Sequence, residues 1–187
     1  MADMPTRAFW NTNGQAEPDK VVALARQADP DVLVLAESAI PLERLLTELN
    51  RGQTTLFFPD PGFSQRVTIV SRYLDRFVHP IRDASRVAIR HYLPPLGPSF
   101  LLVAVHLHSK LRKKTEDQAL AAPRLARYVK QAETAVGHSR TIVLGDFNMN
   151  PFEHGVVAAE GLHAVMDRRI AGRRSRTVDD EEFDFFY

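Results

Sequence analysis

The sequence predicts an α/β or α+β protein built on one large sheet or on two packed sheets, and three observations carry that expectation. Short uninterrupted apolar runs, the mark of strands buried on both faces, alternate with longer segments of helical spacing. The middle of the chain strings strand-like segments between Pro/Gly turn signals, which implies antiparallel pairing. At 187 residues, 44% hydrophobic and 25% charged, the chain suits one domain over residues 1–187 with a sizeable core. It carries no linker-like Gly/Ser tract, repeat or low-complexity stretch.

Ala8 to Trp10 ends a first strand. Pro18 sits near the start of a helix whose Val21, Val22, Leu24, Ala25 and Ala28 follow helical spacing, and Asp29-Pro30-Asp31 stops it. Val32 to Ala36 reads as a buried strand, and Pro41 opens a second helix with Leu42, Leu45, Leu46 and Leu49 on one side. Thr54–Phe58, Arg66–Ser71, Ser85–Tyr92 and Phe100–Val105 read as strands between Pro59-Asp60-Pro61-Gly62 and Pro94-Pro95-Leu96-Gly97-Pro98. Thr115 is placed to cap a helical segment reaching about Val136, which Pro123 should kink or divide. Arg140 to Leu144 is a further buried strand, and His154 should begin a short helix.

With 24 basic against 23 acidic residues the net charge is +1, so no global charge announces a partner. Five acids crowd the last nine positions, which leaves residues 1–178 with 24 basic against 18 acidic residues, a mildly basic body that tolerates phosphate-rich ligands. The absence of cysteine excludes a disulfide framework and a thiolate zinc site. The N-terminus lacks a signal-like apolar run, and the longest apolar run, six residues from Phe100 to Val105, cannot span a bilayer. The expectation is a soluble, cytoplasmic protein that does not engage a membrane.

Four strands end alike. Each runs apolar and then delivers a chemically able residue: Asn11-Thr12-Asn13-Gly14, Glu37, His106, and Asp146-Phe147-Asn148. Singly each has a plain explanation, since Asn13-Gly14 makes a turn, Glu37 caps the next helix and His106 bonds a carbonyl. Together they form the kit for phosphate-ester hydrolysis assisted by a hard cation. Mg²⁺ (or Mn²⁺) takes oxygen ligands and keeps several waters, so Glu37 with the Asn11 amide oxygen is expected to hold it. A protonated His106 is expected to stabilise transition-state oxyanions, and Asp146 to orient the attacking water.

Trp10-Asn11-Thr12-Asn13-Gly14, Asp31 to Glu37, Val105-His106-Leu107 and Gly145-Asp146-Phe147-Asn148 resemble, in order, four motifs of the endonuclease/exonuclease/phosphatase (DNase I-like) superfamily. The resemblance extends from about Arg7 to Glu153. It implies a four-layered αββα sandwich, two mostly antiparallel sheets flanked by helices, with the site where strand ends meet. It also implies roles: Glu37 as metal ligand, Asn11 as shaper of the metal and Asp146 environment, Asp146 as the aspartate acting on the nucleophilic water. Asn148 is implied as its phosphate-contacting companion. His106 matches the branch of DNase I and the sphingomyelinases.

The resemblance has a gap. Family members finish with a strand and an Asp-His pair, and none of the seven histidines here follows an aspartate. The chain closes on Phe183-Asp184-Phe185-Phe186-Tyr187, the ending expected of a truncated product, of a fragment, or of a split protein whose closing C-terminal strands a complementing polypeptide supplies. Asn13, His108, Lys110 and Arg112 are candidate substrate contacts, the last two in a basic run that leaves the strand of His106. A second cluster, Arg168 to Arg176, either serves the same ligand or pairs with the acidic tail. The leading expectation is a magnesium-dependent phosphodiesterase, a nuclease. The alternatives are a phosphatase on a soluble or lipid phosphate ester, and a non-catalytic nucleic-acid- or partner-binding remnant.

Overall fold

A computed structural model describes residues 5–109 and 120–184. It divides into two compact units, Met1–His106 with Ala135–Asp146, and Leu107–Thr134 with Phe147–Tyr187.

The first unit holds two mixed four-stranded sheets. In the first, β1 (Arg7–Asn11) pairs parallel with β2 (Val32–Ala36), and β4 (Val67–Ser71) pairs antiparallel with β2 and with β3 (Phe58–Pro59). In the second, β5 (Val78–Ala84), β6 (Val87–Tyr92) and β7 (Phe100–His106) form an antiparallel meander, and β8 (Thr141–Asp146) joins β7 in parallel. The expected sandwich is observed, with one parallel pair in each sheet.

The two-face burial of β2 explains its unbroken apolar run. Val32 and Val34 join Val67, Ile69, Ala88, Leu102 and Ala104 in the core between the sheets. Leu33 and Leu35 point the other way, into a second core with the buried faces of α1 (Pro18–Ala28) and α2 (Leu42–Asn50). Val21, Val22 and Ala25 of α1, and Leu45 and Leu49 of α2, supply those faces.

Three expectations are corrected. Thr54–Phe57 forms no strand, because the Asn50 side chain takes both backbone groups of Phe57 (2.7 and 2.9 Å) and leaves only the two-residue β3. An unforeseen strand, β5, precedes Val87. It is an exposed edge strand with a bulge between Pro80 and Arg82, and so lacks a clean alternation. Pro123 does not kink the helix after β7: α3 runs Ala121–Val136, and Pro123 lies in its first turn, where no hydrogen bond is lost. Thr115 lies outside the described residues.

The second unit holds most of α3, the short helices α4 (His154–Val157) and α5 (Arg168–Ala171), and a hairpin of β9 (Ser175–Val178) and β10 (Glu181–Asp184). Its turn residues Asp179 and Asp180 both have positive φ, as a tight two-residue hairpin loop requires. The hairpin lays Arg176 opposite Phe183 and Thr177 opposite Glu182. Among the described residues, no helix is long and apolar enough to cross a membrane.

Candidate active site

Both parallel strand pairs end at the same place. Register sets Asn11 beside Ala36 in the first sheet and His106 beside Asp146 in the second. The Asn11 Nδ2–H donates to Asp146 Oδ2 at 2.8 Å, a bond between sheets across 135 residues of sequence. His106 Nε2 stands 3.1 Å from Glu37 Oε1. Asn11, Glu37, His106 and Asp146 are thereby brought together from four strand ends.

Local sequence explains why those ends turn as they do. Gly145 has φ +151°, and a Cβ there would stand 1.9 Å from the Val105 carbonyl oxygen, so only glycine lets β8 run this close to β7 before Asp146. Glu37 leaves β2 in the left-handed region (φ 51°). It is held there by its N–H donating to the Arg66 carbonyl and by Thr12 Oγ1–H and Gly14 N–H donating to its own carbonyl. Asn13 and Gly14 form the tight turn after β1, closed by Gln15 N–H donating to the Thr12 carbonyl. Asn13 is exposed, and its N–H donates to Asn11 Oδ1 at 2.9 Å.

His106 is only 4% exposed, and burial pushes its imidazole below the ordinary histidine range. Glu37 and Asp146 pull it upward, and Arg86 and Arg66 push it down. The net direction is downward, against the protonated form expected from the sequence. The charge state is set by long-range packing that the sequence does not display. His106 Nε2 faces Glu37 Oε1, and among the described residues its buried Nδ1 has no hydrogen-bond partner. Its backbone is clamped by Arg86, whose carbonyl accepts the His106 N–H (3.0 Å) and whose guanidinium donates to the His106 carbonyl (3.1 Å).

The Glu37 side chain is one-third exposed, and one of its oxygens is engaged by His106. The donor set is therefore oxygen-rich and open, which fits a hard cation satisfied by one or two carboxylates and water. Among the described residues, no group of three or more His, Asp or Glu side chains is arranged to hold a metal ion. Both ends of the Asn11 amide are hydrogen-bonded, the nitrogen donating to Asp146 and the oxygen accepting from Asn13 N–H.

Asn148 and His108 lie in the second unit. Asn148 sits in the left-handed region (φ 52°), and its Nδ2–H donates to the Leu107 carbonyl at 3.0 Å. Lys110 and Arg112 lie outside the described residues. The sequence reading missed Arg66 and Arg86, the cations that act on His106. Each is a lone arginine before a strand and carries no local signal.

No curated protein matches the sequence. Among solved structures, a humanized D. rerio TDP2 carrying 14 mutations is 21% identical at a TM-score of 0.50, covering 84% of this chain and 66% of that one. D. rerio TDP2 complexed with a single-strand DNA product is 19% identical at 0.52, covering 83% and 64%. A β-hairpin deletion mutant of beta toxin from Staphylococcus aureus is 11% identical at 0.56, covering 80% and 69%. At such identities the likeness shows the fold, and the chain spans about two thirds of each of these structures. The sequence profile of the endonuclease/exonuclease/phosphatase family matches residues 8–163. The chain, with its motif residues gathered at four converging strand ends, belongs to that family.

Proposed function

We propose that the chain is a divalent-metal-dependent phosphodiester hydrolase acting on nucleic acid, with Asn11, Glu37, His106 and Asp146 as its reactive centre. The observation that carries this reading is the Asn11–Asp146 hydrogen bond, which ties the two strand pairs together with one carboxylate on each side of His106. Family membership supports the reaction class, and the TDP2 structure complexed with a DNA product supports the substrate class by analogy. The family match runs through both units, so we read them as one catalytic domain.

In this reading Glu37 and Asn11 would hold Mg²⁺ or Mn²⁺, whose charge would offset that on the phosphoryl oxygens and the leaving group. Asp146, fixed by the Asn11 amide, orients the attacking water and accepts its proton. His106 acts as a neutral hydrogen-bond donor that orients the Glu37 carboxylate. Asn148, Asn13, His108, Lys110 and Arg112 are proposed as contacts to the substrate's phosphates.

The test compares plasmid DNA and p-nitrophenyl phosphate as substrates, with Mg²⁺ and after chelation. Metal-dependent plasmid cleavage that is lost in Glu37→Ala and Asp146→Ala supports the proposal. Turnover of the monoester alone would replace it with a phosphatase. Turnover of neither would leave a binding remnant.

A further inference from the structure

We propose that the loop of residues 60–66, together with the tip of the β5–β6 hairpin, forms a rim that engages single-stranded nucleic acid beside the His106 end of the sheets. Phe63 stacks on an unpaired base, and Arg66 meets a backbone phosphate. The proposal rests on the nucleic-acid reading above and names which form of nucleic acid this centre takes.

A chain of hydrogen bonds fixes where the rim lies. The Arg66 carbonyl accepts the Glu37 N–H at 3.3 Å, so this end of the loop touches the metal-ligand candidate directly. Ser64 Oγ–H is placed to donate to the Ala84 and Ser85 carbonyls (3.1 and 3.3 Å), which lashes the loop to the hairpin tip. The next residue in that hairpin is Arg86, hydrogen-bonded to both backbone groups of His106. Arg66 and Arg86 both act electrostatically on His106, so two cations border the site on this side.

The loop is also pinned from beneath. The fully buried Arg90 donates from Nε to both Asp60 carboxylate oxygens (2.7 and 2.9 Å). Its terminal nitrogens reach Asp60, Asp83 and the Arg82 carbonyl. Gly62 packs so tightly on that guanidinium that a Cβ would stand 2.2 Å from it. On this fixed base Phe63 leaves 73% of its surface in solvent, and Arg66 is exposed. A large aromatic held out on a rigid loop, with arginines beside it, can stack on a base without first being ordered. A duplex hides its base faces, and so the aromatic selects unpaired strand.

The test is fluorescence anisotropy of a labelled single strand of about 12 nucleotides, in EDTA so that nothing is cut, with the matching duplex alongside. Phe63→Ala is expected to weaken single-strand binding about tenfold and to change duplex binding far less, whereas Phe63→Trp retains the single-strand affinity. Arg66→Gln is expected to weaken binding and to reduce the slope of log K against log salt by about 0.7 on the single strand. Equal affinities for the wild type and Phe63→Ala, equal losses on both nucleic acids, or absence of wild-type binding would overturn the rim. Failure of the hydrolase reading shows separately, as a wild-type protein that binds the strand but leaves it uncut with Mg²⁺.

Discussion

Two polar clusters inside the first unit, built from similar materials, behave in opposite ways. Around Arg90 every donor group is engaged: the guanidinium is fully buried and reaches Asp60, Asp83 and the Arg82 and Ile89 carbonyls, with the Asp60 side chain 9% and the Asp83 side chain 35% exposed. Around His106 a polar atom is left over: the buried Nδ1 has no hydrogen-bond partner among the described residues. A saturated cluster holds structure. A cluster with unspent valence at the mouth of converging strands is placed to do chemistry. What separates the two is satisfaction, since both combine a nitrogen cation or its precursor with two carboxylates.

If the Arg90 cluster is purely structural, Arg90→Leu should cost the most stability, about 3–5 kcal/mol in urea unfolding, because it takes the guanidinium away from the largely buried Asp60 side chain. A loss under 1 kcal/mol would mean that the carboxylates find water and that the cluster is looser than it looks. The open cluster should respond in rate instead. Asn11→Ala frees Asp146 from its amide and should lower hydrolysis about 10–100-fold, the range seen when a partner that orients a reactive group is removed. Assays of the folded variant at saturating Mg²⁺ check it.

The smallest expected effect is on pH dependence. Burial is the leading cause that holds His106, His91 and His138 below the ordinary histidine range, and the charges facing His91 from neighbouring elements, His138, His79 and Arg140, push it the same way. The unfolded chain therefore takes up these protons first. The stabilisation is present above a pH of about 6.5 and is lost as pH falls through the lower folded values. The melting temperature should thus be lower at pH 5.5 than at pH 7.5. Because His91 and His138 bring their Nε2 atoms within 3.4 Å, His138→Gln should flatten the decline. A melting temperature that rises on acidification would reverse the assigned direction.

Much of the fold was legible because it is written in local periodicity. Val32–Ala36 is continuous because Val32 and Val34 face one core and Leu33 and Leu35 the other, and the helix after Pro18 shows its buried stripe directly. The edge strand β5 was not legible, since exposure removes its alternation and Pro80 interrupts it. Nor was the Arg90 cluster, which joins residues 30 apart, or the side-chain capping of Phe57 that replaces the strand expected at Thr54. The candidate site divides along the same line. Strand-end motifs single out Asn11, Glu37, His106 and Asp146 as candidates, whereas the burial that lowers the His106 imidazole and the flanking Arg66 and Arg86 depend on packing between distant segments.

The central claim is that Asp146, held from the opposite sheet by Asn11, handles the nucleophilic water. The most direct measurement is the Mg²⁺-dependent cleavage rate of Asp146→Asn, a nearly isosteric change, with its melting temperature recorded in parallel. A fall of about 10²–10⁴-fold with melting preserved is the predicted result. Cleavage at the wild-type rate, or a loss that merely follows unfolding, would contradict the assignment.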